Sequence, residues 1–438
     1  MWHKEIGVGE RLTVGSLGPV DGADERSQAD AQATADEMMH ASTLAEPRPR
    51  LHETAAVATI LSTVTHTLAD VLPSVAAALH DDGDNPLAVA PARDIVVLLV
   101  DGLGARLLER HRATAPTLAG AARATLRAGF PATTATSITS LAVGAPCAVH
   151  GIIGYSFGLP ADDGRESFNA LRWRTGGAEG PDARQTHPPE QFQPVTSAVQ
   201  HLAADGVGIH YVVPGYQMTS GLTRAAFRAE GALHAADDLA AVRAGILEVV
   251  AHDGTDRRFA YAYHPALDMN GHLFGAESPE WLAELARVEA VVADLMTDLP
   301  TDATLLVTGD HGMVNAGTVV DLDGEAAFRR DVELIAGEAR VRHVYAAAGA
   351  VSDVADRWRG LLGSRARVAT REQALDEGWF GQSPVGAVAR DRIGDLVVAA
   401  QADTVMVCPA DEPLEPAMAG HHGSWTDDEQ LVPLIASR

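Results

Sequence analysis

The segments VVLLVDGLG (residues 96–104) and LLVTGDHGM (residues 305–313) decide the fold of this chain. Each is a run of leucine and β-branched residues that ends in an aspartate beside a glycine, as buried strands of a parallel sheet do. Open α/β sheets place their chemistry just past the carboxyl ends of such strands. Asp101, Asp310 and His311 therefore lie where a site would be built, and two carboxylates with one imidazole favour a bound cation. Two plain strand ends are the alternative at this point, because Asp-Gly and Gly-Asp are common turn dipeptides.

Strands and helices alternate along most of the chain, which predicts an α/β fold with a mainly parallel central sheet and helices on both faces. A first amphipathic helix is predicted from Val57, and DDGDNP (residues 81–86) ends it. Further strands are predicted at residues 95–100, 207–213, 259–263 and 304–308, and helices around Leu107, after Thr134, at 239–250 and at 281–299.

Three stretches depart from this alternation. Residues 1–50 are polar and acidic, and we predict a disordered tail before a catalytic domain at 51–438. Residues 156–195 are rich in Gly, Pro, Asp and Arg, which favours long loops near the mouth of the site. Residues 318–385 are predicted to form a small inserted α+β subdomain, and the parallel layer is expected to resume at DLVVAA (395–400) and TVMVC (404–408).

Composition excludes several classes of protein. The 438 residues include 59 acidic and 33 basic side chains, a net charge of −26, which argues against a nucleic-acid-binding surface. The two cysteines do not form a disulfide framework of the small secreted kind. No apolar run reaches the length of a membrane-spanning helix, and the N-terminus lacks the apolar segment of a signal peptide. We therefore predict a cytoplasmic protein without a membrane partner.

A cluster of hydroxyl groups lies in FPATTATSITSLAVGAPCAVHGIIGY (residues 130–155). Thr133, Thr134, Thr136 and Ser137 follow Pro131 and precede an apolar helical stretch. Such residues often cap a helix, whose free N–H groups can also bind an anion. The cluster alone is compatible with capping or with anion binding.

Histidines occur in two further segments. In YHPALDMNGHLFG (residues 263–275), Asp268 and His272 lie four residues apart, a spacing that lets a carboxylate and an imidazole chelate one zinc ion. In AMAGHHGSW (residues 417–425), His421 and His422 lie in a glycine-rich loop, where histidines are often merely exposed. Neither segment alone establishes a metal site, because chance D-x-x-x-H pairs are also expected in a chain with 18 histidines and many aspartates.

The order of these motifs is far more specific than any one of them. From about residue 94 to the end, the chain resembles the alkaline phosphatase superfamily, most closely its nucleotide pyrophosphatase/phosphodiesterase branch. FPATT followed by GAPCAVHGI, DMNGHLFG and TGDHGM carry the resemblance.

The resemblance implies two Zn²⁺ ions and a zinc-dependent hydrolase of phosphodiester or nucleotide pyrophosphate bonds. Thr134 would be the nucleophile and form a covalent phosphothreonine-type intermediate on a small phosphate ester substrate such as a nucleotide. The implied ligands are Asp101, Thr134, Asp310 and His311 for one zinc, and Asp268, His272 and His422 for the other.

Some residue choices within the motifs stay open. Thr133 is adjacent to the expected nucleophile, and His421 is adjacent to the expected ligand. Phosphodiesterases of the family are expected to carry an asparagine three residues after the nucleophile, where this chain has Ser137, so Ser137 is a candidate donor to a phosphate oxygen. For His150 a packing or turn role is favoured over a ligand role.

Other functions compete with the diesterase hypothesis. A phosphomonoesterase or a phosphonate hydrolase of the same superfamily would use the same fold, although no convincing arginine clamp lies beside the nucleophile motif. A sulfatase is disfavoured because the nucleophile position is threonine and there is no C-x-P-x-R segment. A catalytically degenerate binding protein is the alternative to an enzyme.

Overall fold

The computed structural model describes residues 64–177, 180–252, 254–382 and 384–438. The tail predicted over residues 1–50, and the start of the first helix at Val57, lie outside the described residues. Among the described residues, 64–66 are not helical although the prediction includes them. A 3₁₀ turn over Leu68–Asp70 leads into the helix Val71–His80. Asp81 then adopts a left-handed conformation and ends the helix where DDGDNP predicts its end.

Helices, numbered in chain order, flank the sheets. They are α1 Val71–His80, α2 Ala105–Arg110, α3 Pro116–Gly120, α4 Thr134–Val143, α5 Cys147–His150, α6 Pro189–Phe192, α7 Ala198–Ala204, α8 Gly221–Ala226, α9 Leu239–Val250, α10 Ala266–Phe274, α11 Pro279–Asp298, α12 Ala326–Arg329, α13 Val351–Leu362, α14 Arg371–Asp376, α15 Ala387–Arg392 and α16 Asp427–Gln430.

Strands are numbered in the same way. They are β1 Asp94–Val100, β2 Ala122–Arg127, β3 Ser156–Ala161, β4 Gly164–Asn169, β5 Arg174–Thr175, β6 Gly208–Val213, β7 Ala232–Ala235, β8 Arg258–His264, β9 Ala303–Thr308, β10 Val314–Asn315, β11 Val319–Asp321, β12 Val332–Glu338, β13 Val341–Ala346, β14 Ala366–Thr370, β15 Leu396–Ala400, β16 Val405–Val407, β17 Gly420–His421 and β18 Leu431–Ala436.

The central sheet has seven strands in the order β2-β18-β9-β1-β8-β6-β7. Strand β1 pairs in parallel with both β8 and β9, and β6 pairs in parallel with β8 and β7. The mainly parallel α/β fold is thus confirmed. The carboxyl ends of β1, β8 and β9 lie side by side, so the segments that follow them meet at one edge of the sheet.

The last strand breaks the parallel arrangement. Strand β18 is inserted between β9 and β2 and runs antiparallel to both. The segment before it therefore approaches the same edge at which the parallel strands β1, β8 and β9 end. This reversal brings the C-terminal histidine loop to the site.

Two smaller antiparallel sheets correct the sequence-based expectations. Residues 156–175 form the three-stranded sheet β3-β4-β5 instead of long loops alone. DLVVAA does not resume the parallel layer: it contains β15, which pairs antiparallel with β13 and β14 in the four-stranded sheet β12-β13-β15-β14. TVMVC contains β16, which pairs with β11 outside the central sheet. Both segments are apolar because these sheets are also buried, so hydrophobicity alone did not distinguish the sheets.

The inner strand β1 of the central sheet is buried on both faces. All seven residues of β1 are buried, and successive side chains alternate between two apolar clusters. Val97 packs with residues of α1, α4 and α7, whereas Val96 packs with residues of α2, α9 and α11. Full burial of each such side chain contributes about 1.5–3 kcal/mol, which fixes the register of the strand that precedes Asp101.

Candidate metal centre

Two aspartates follow neighbouring parallel strands. Asp101 comes directly after β1, and Asp310 follows β9 by two residues. The backbone N–H groups of Gly102 and His311 both donate to Asp310 Oδ1, each over 3.1 Å. The Tyr263 hydroxyl, at the end of β8, donates to Asp101 Oδ2. One oxygen of each carboxylate is thus fixed by the fold.

His311 and Thr134 complete the first group of donors. His311 Nε2 lies 3.4 Å from Asp101 Oδ1 and 3.6 Å from Asp310 Oδ2. Thr134 Oγ1 lies 3.2 Å from the same nitrogen. Thr134 is the first residue of α4, so the start of a helix presents its hydroxyl to the carboxylates. Together these residues form the oxygen- and nitrogen-rich set expected from the sequence.

The second group is built on helix α10. Asp268 and His272 lie one turn apart, with His272 Nε2 3.2 Å from Asp268 Oδ2. His422, from the loop after β17, places its Nε2 3.8 Å from Asp268 Oδ1. Gly102 allows the two groups to meet, because an added Cβ would lie 3.0 Å from the Asp268 Cα and its φ is +77°.

The three site histidines share one tautomer. Each Nδ1 donates to a main-chain carbonyl, which turns Nε2 toward the aspartates of the site. The acceptors are Gly312 for His311 at 2.9 Å, Gly420 for His272 at 2.8 Å and Ala132 for His422 at 3.0 Å. Carbonyl partners of this kind are the usual supports of metal-binding imidazoles.

Electrostatics show that the groups are unfavourable without a cation. Burial raises the pKa of Asp101 well above its usual range, and the negative charges of Asp310 and Asp268 raise it further. Burial also opposes ionisation of Asp268, but attraction to His272 outweighs it and holds the pKa of Asp268 below its usual range. Burial lowers the pKa of His422 well below that of a free imidazole, so this ring stays neutral and able to act as a ligand.

The donor atoms fit metal ions. Donors of Asp268, His272 and His422 lie within 4.8 Å of one another, and so do those of Asp101, Asp268 and His311. Among the described residues, Asp101 Oδ1, Asp268 Oδ1 and Asp310 Oδ2 are buried without a hydrogen-bond partner. Mixed carboxylate and imidazole donors suit Zn²⁺. Asp268 belongs to both of these three-residue sets, so its carboxylate joins the donors on helix α10 to those that follow β1 and β9.

The structure distinguishes the neighbouring hydroxyl residues. Thr134 faces His311, whereas the Thr133 hydroxyl is a hydrogen-bond partner of Glu338. Ser137 is fully buried, and its hydroxyl lies 3.5 Å from the Ala128 carbonyl oxygen. These contacts favour Thr134 over Thr133 as the hydroxyl beside the candidate metal ligands. The Ser137 hydroxyl points toward the main chain.

The neighbouring histidines differ in a similar way. His421 is buried, its Nε2 has no hydrogen-bond partner among the described residues, and burial lowers its pKa to about 3. His150 accepts from the Ile152 N–H at 3.1 Å and lies 3.0 Å from the Ser140 hydroxyl. These contacts give His150 the turn role that the sequence favours.

Two residues near the site were not found by sequence reasoning. Tyr263 lies at the end of a buried strand and looks like an ordinary core residue, yet its hydroxyl binds Asp101. Glu338 ends β12, and burial raises its pKa to about 8. An added Cβ on Gly423, beside His422, would lie 3.0 Å from Glu338 Oε1. Nothing local in the sequence signals that Glu338 reaches the histidine loop.

A family model and several solved structures match this chain. The model for type I phosphodiesterase / nucleotide pyrophosphatase matches residues 95–425. No curated protein sequence matches the chain. The fold is similar to murine ectonucleotide pyrophosphatase / phosphodiesterase 5, with a TM-score of 0.58 and 15% identity over 78% of this chain and 87% of that chain.

Other solved structures extend the comparison. An inactive variant of the murine protein in complex with AMP has the same score and coverage. Phosphonoacetate hydrolase from Sinorhizobium meliloti 1021, in complex with phosphonoacetate, has a TM-score of 0.58 and 18% identity over 79% of this chain and 90% of that chain. At these identities the likeness concerns the fold.

Proposed function

Because the chain belongs to the type I phosphodiesterase / nucleotide pyrophosphatase family of hydrolases, we propose that it hydrolyses phosphodiester or nucleotide pyrophosphate bonds with two Zn²⁺ ions and Thr134 as nucleophile. One observation carries the proposal: Thr134 Oγ1 lies 3.2 Å from His311 Nε2, which is itself 3.4 Å from Asp101 Oδ1. Among the donors of this group, Thr134 is the residue that offers a hydroxyl, and it is the first residue of α4.

The residues have separate roles in this proposal. Asp101, Asp310 and His311 would hold one zinc beside Thr134, and Asp268, His272 and His422 the other. Bound ions would lower the pKa of the hydroxyl and stabilise the charge that develops on phosphate oxygens. The N-terminus of α4 adds its N–H groups on the side where an anionic phosphate would bind.

The bond between Thr134 Oγ1 and phosphorus would form as the bond from phosphorus to the leaving oxygen breaks. Thr134 would give up its hydroxyl proton to solvent, and the leaving oxygen would take up a proton from solvent and depart as an alcohol or phosphate. The product is a phosphorylated Thr134 that water then hydrolyses. Thr134 is buried and β-branched, which restricts the rotation of its side chain, and its hydroxyl is oriented toward His311.

Charge near the site favours a diester over a monoester. A monoester carries a second negative charge and needs an additional cation. Arg340 and Arg342, which lie on the hairpin facing the histidine loop, are already bound by Glu429 and Glu415. Glu338 adds a carboxyl group in the same region, so the chain supplies no free cation there among these residues.

The neighbours with AMP and phosphonoacetate bound make small phosphate esters and phosphonates the compounds to test. Nucleic acid is not proposed as a partner, because the net charge is −26. No helix among the described residues is long and apolar enough to cross a membrane. The cytoplasmic location stays a prediction.

A substrate panel tests the proposal. The purified protein should contain about two zinc ions per chain, and nitrophenyl nucleotide diesters should be cleaved faster than nitrophenyl phosphate or phosphonates. Preferential cleavage of the monoester or of phosphonoacetate would replace the diesterase assignment by the corresponding alternative. Absence of any metal-dependent hydrolysis would instead favour a degenerate binding protein.

A pair of variants tests the nucleophile. Thr134→Ala should abolish turnover and keep bound zinc, since the three protein ligands of the first group remain. Thr133→Ala is the matched control and should keep most of the activity. An active Thr134→Ala protein would refute the covalent mechanism at this residue.

A further inference from the structure

A buried ion pair connects the four-stranded sheet to the histidine loop. Arg340 lies in the turn between β12 and β13, and its side chain and that of Glu429 are both fully buried. Arg340 Nε donates to Glu429 Oε1 over 2.8 Å, and Nη2 donates to Oε2 over 2.7 Å. Arg340 Nη1 also donates to the Thr404 carbonyl. The guanidinium thus fixes the Glu429 carboxylate in one plane.

The Glu429 carboxylate in turn fixes the segment that carries His422. The Ser424 N–H donates to Glu429 Oε1 over 2.9 Å, and the Thr426 hydroxyl donates to Oε2 over 2.6 Å. Ser424 lies two residues after His422, so these bonds set the path of the chain directly after the histidine. The Ser424 hydroxyl adds a bond of 2.7 Å to the Ala400 carbonyl at the end of β15.

The main chain of Glu429 reaches the other half of the centre. Its carbonyl accepts from the Gly312 N–H over 2.8 Å, and Gly312 directly follows His311. The Gly423 carbonyl accepts from the Ala132 N–H, also over 2.8 Å, which ties the His422 loop to the segment before Thr134. Glu429 therefore touches, through single hydrogen bonds, the segments of both candidate metal groups.

We propose that Glu429, held by Arg340, is a positioning residue for the His422 side of the metal centre. The carboxylate oxygens hold Ser424 and Thr426, and this sets where His422 Nε2 points. Arg340 orients the carboxylate and compensates its buried charge. The inference rests on the proposed two-zinc function, and it assigns to the four-stranded sheet a role in binding the second ion.

Paired variants separate positioning from folding. Removal of one partner would leave a buried unpaired charge and is strongly destabilising, whereas removal of both partners is often tolerated. Arg340→Met with Glu429→Leu removes the charges and the acceptors together. Arg340→Met with Glu429→Gln removes the charges but keeps a side-chain oxygen for the Ser424 N–H.

The hairpin offers a matched control. Arg342 and Glu415 form a second buried ion pair, with Nη2 2.5 Å from Oε2. Glu415 accepts from the Cys408 N–H over 3.0 Å instead of from the His422 loop. Arg342→Met with Glu415→Leu therefore removes an ion pair of the same kind from the same hairpin without removing a bond to that loop.

The measurement is a titration of each metal-free protein with Zn²⁺ in competition with a chromophoric chelator, with folding checked by circular dichroism. We expect the Arg340→Met/Glu429→Leu protein to bind one zinc equivalent about tenfold or more less tightly, as for other residues that support ligands, with the affinity for the other equivalent unchanged. The Glu429→Gln pair should recover most of that loss, and the Arg342/Glu415 control should bind both ions like the wild type.

Three results would overturn the inference. They are unchanged binding of both ions by the folded Arg340→Met/Glu429→Leu protein, an equal loss of both ions, or an equal loss in the Arg342/Glu415 control. Failure of the proposed function is distinguishable, because the wild-type protein itself would then bind no zinc.

Discussion

Removal of the metal ions should make the stability of the protein depend on pH in a way that the loaded protein does not show. Without cations, burial raises the pKa of Asp101 well above its usual range, and Asp310 and Asp268 add to the effect. Burial opposes protonation of His272, but attraction to Asp268 outweighs it and raises the pKa of His272. Burial raises the pKa of Glu338 to about 8.

The pKa of all three groups is raised in the folded protein, so all three change the stability with pH in the same direction. A folded-state pKa above the unfolded value means that the folded chain binds more protons, so stability is lost as the pH rises toward and through the folded-state pKa. Each retained proton contributes a slope of about 1.4 kcal/mol per pH unit. Glu338 would thus remove up to about 1.4 kcal/mol between pH 7 and its folded-state pKa of about 8, and Asp101 adds to this loss for as long as it keeps its proton.

The pH range of this prediction starts at 7, because below pH 7 other buried histidines change the free energy of unfolding in the opposite direction. Burial lowers the pKa of His150 and of His421 to about 3 and that of His343 to about 4. Their contribution to stability is present above the unfolded value near 6.5 and is lost as the pH falls, so it is constant above pH 7.

The assay is urea denaturation of the chelator-treated and zinc-reconstituted proteins at pH 7, 8 and 9. We expect the free energy of unfolding of the metal-free protein to fall with pH relative to that of the loaded protein, in which cations replace the protons. Asp101→Asn should reduce the slope of the free energy of unfolding against pH in the metal-free protein by the contribution of about one retained proton. Parallel curves for the metal-free and loaded proteins would refute the reasoning.

Further predictions concern the close contacts and the histidine loop. Gly312→Ala would place a Cβ 1.9 Å from the Asp428 carbonyl oxygen, so we expect a loss of about 1–3 kcal/mol by thermal denaturation. Gly360→Ala, in helix α13 with no atom within 4 Å of the added Cβ, should instead gain about 0.5–1 kcal/mol, and an equal loss in both variants would contradict the packing argument. His422→Ala should lose one zinc equivalent in metal analysis, whereas His421→Ala should keep both; loss of zinc from the His421 variant would reverse the ligand assignment.

The sequence predicts β1, β6, β8 and β9 of the central sheet well, because these strands are apolar runs bounded by polar or turn residues. Strand β1 differs from its predicted bounds by one residue, and α9 has the bounds predicted for it. The prediction fails at β15, whose composition is the same but whose partners are antiparallel. Burial determines which residues are apolar, whereas the direction of pairing depends on connections that composition does not record.

In the site, too, the sequence predicts local relations between residues but not those that depend on tertiary packing. Motif spacing groups Asp268 with His272, since one helical turn fixes their separation before any tertiary contact forms. The approach of Asp268 to Asp101 and His311 depends on the packing at Gly102, and the role of Glu429 depends on a hairpin distant in sequence. Neither relation leaves a periodic or local pattern, so both needed the structure.

The reversed strand β18 has a consequence for the timing of synthesis. The histidine loop just before it bonds to Ala132 across 290 positions of the chain. A ribosome that adds about 5–20 residues per second needs roughly 15–60 s to cover that distance. During this interval β1, β8 and β9 can pair, but the strand that covers β9 and the last histidine are missing. The growing chain would therefore carry an incomplete candidate metal centre until the histidine loop and β18 have been synthesised.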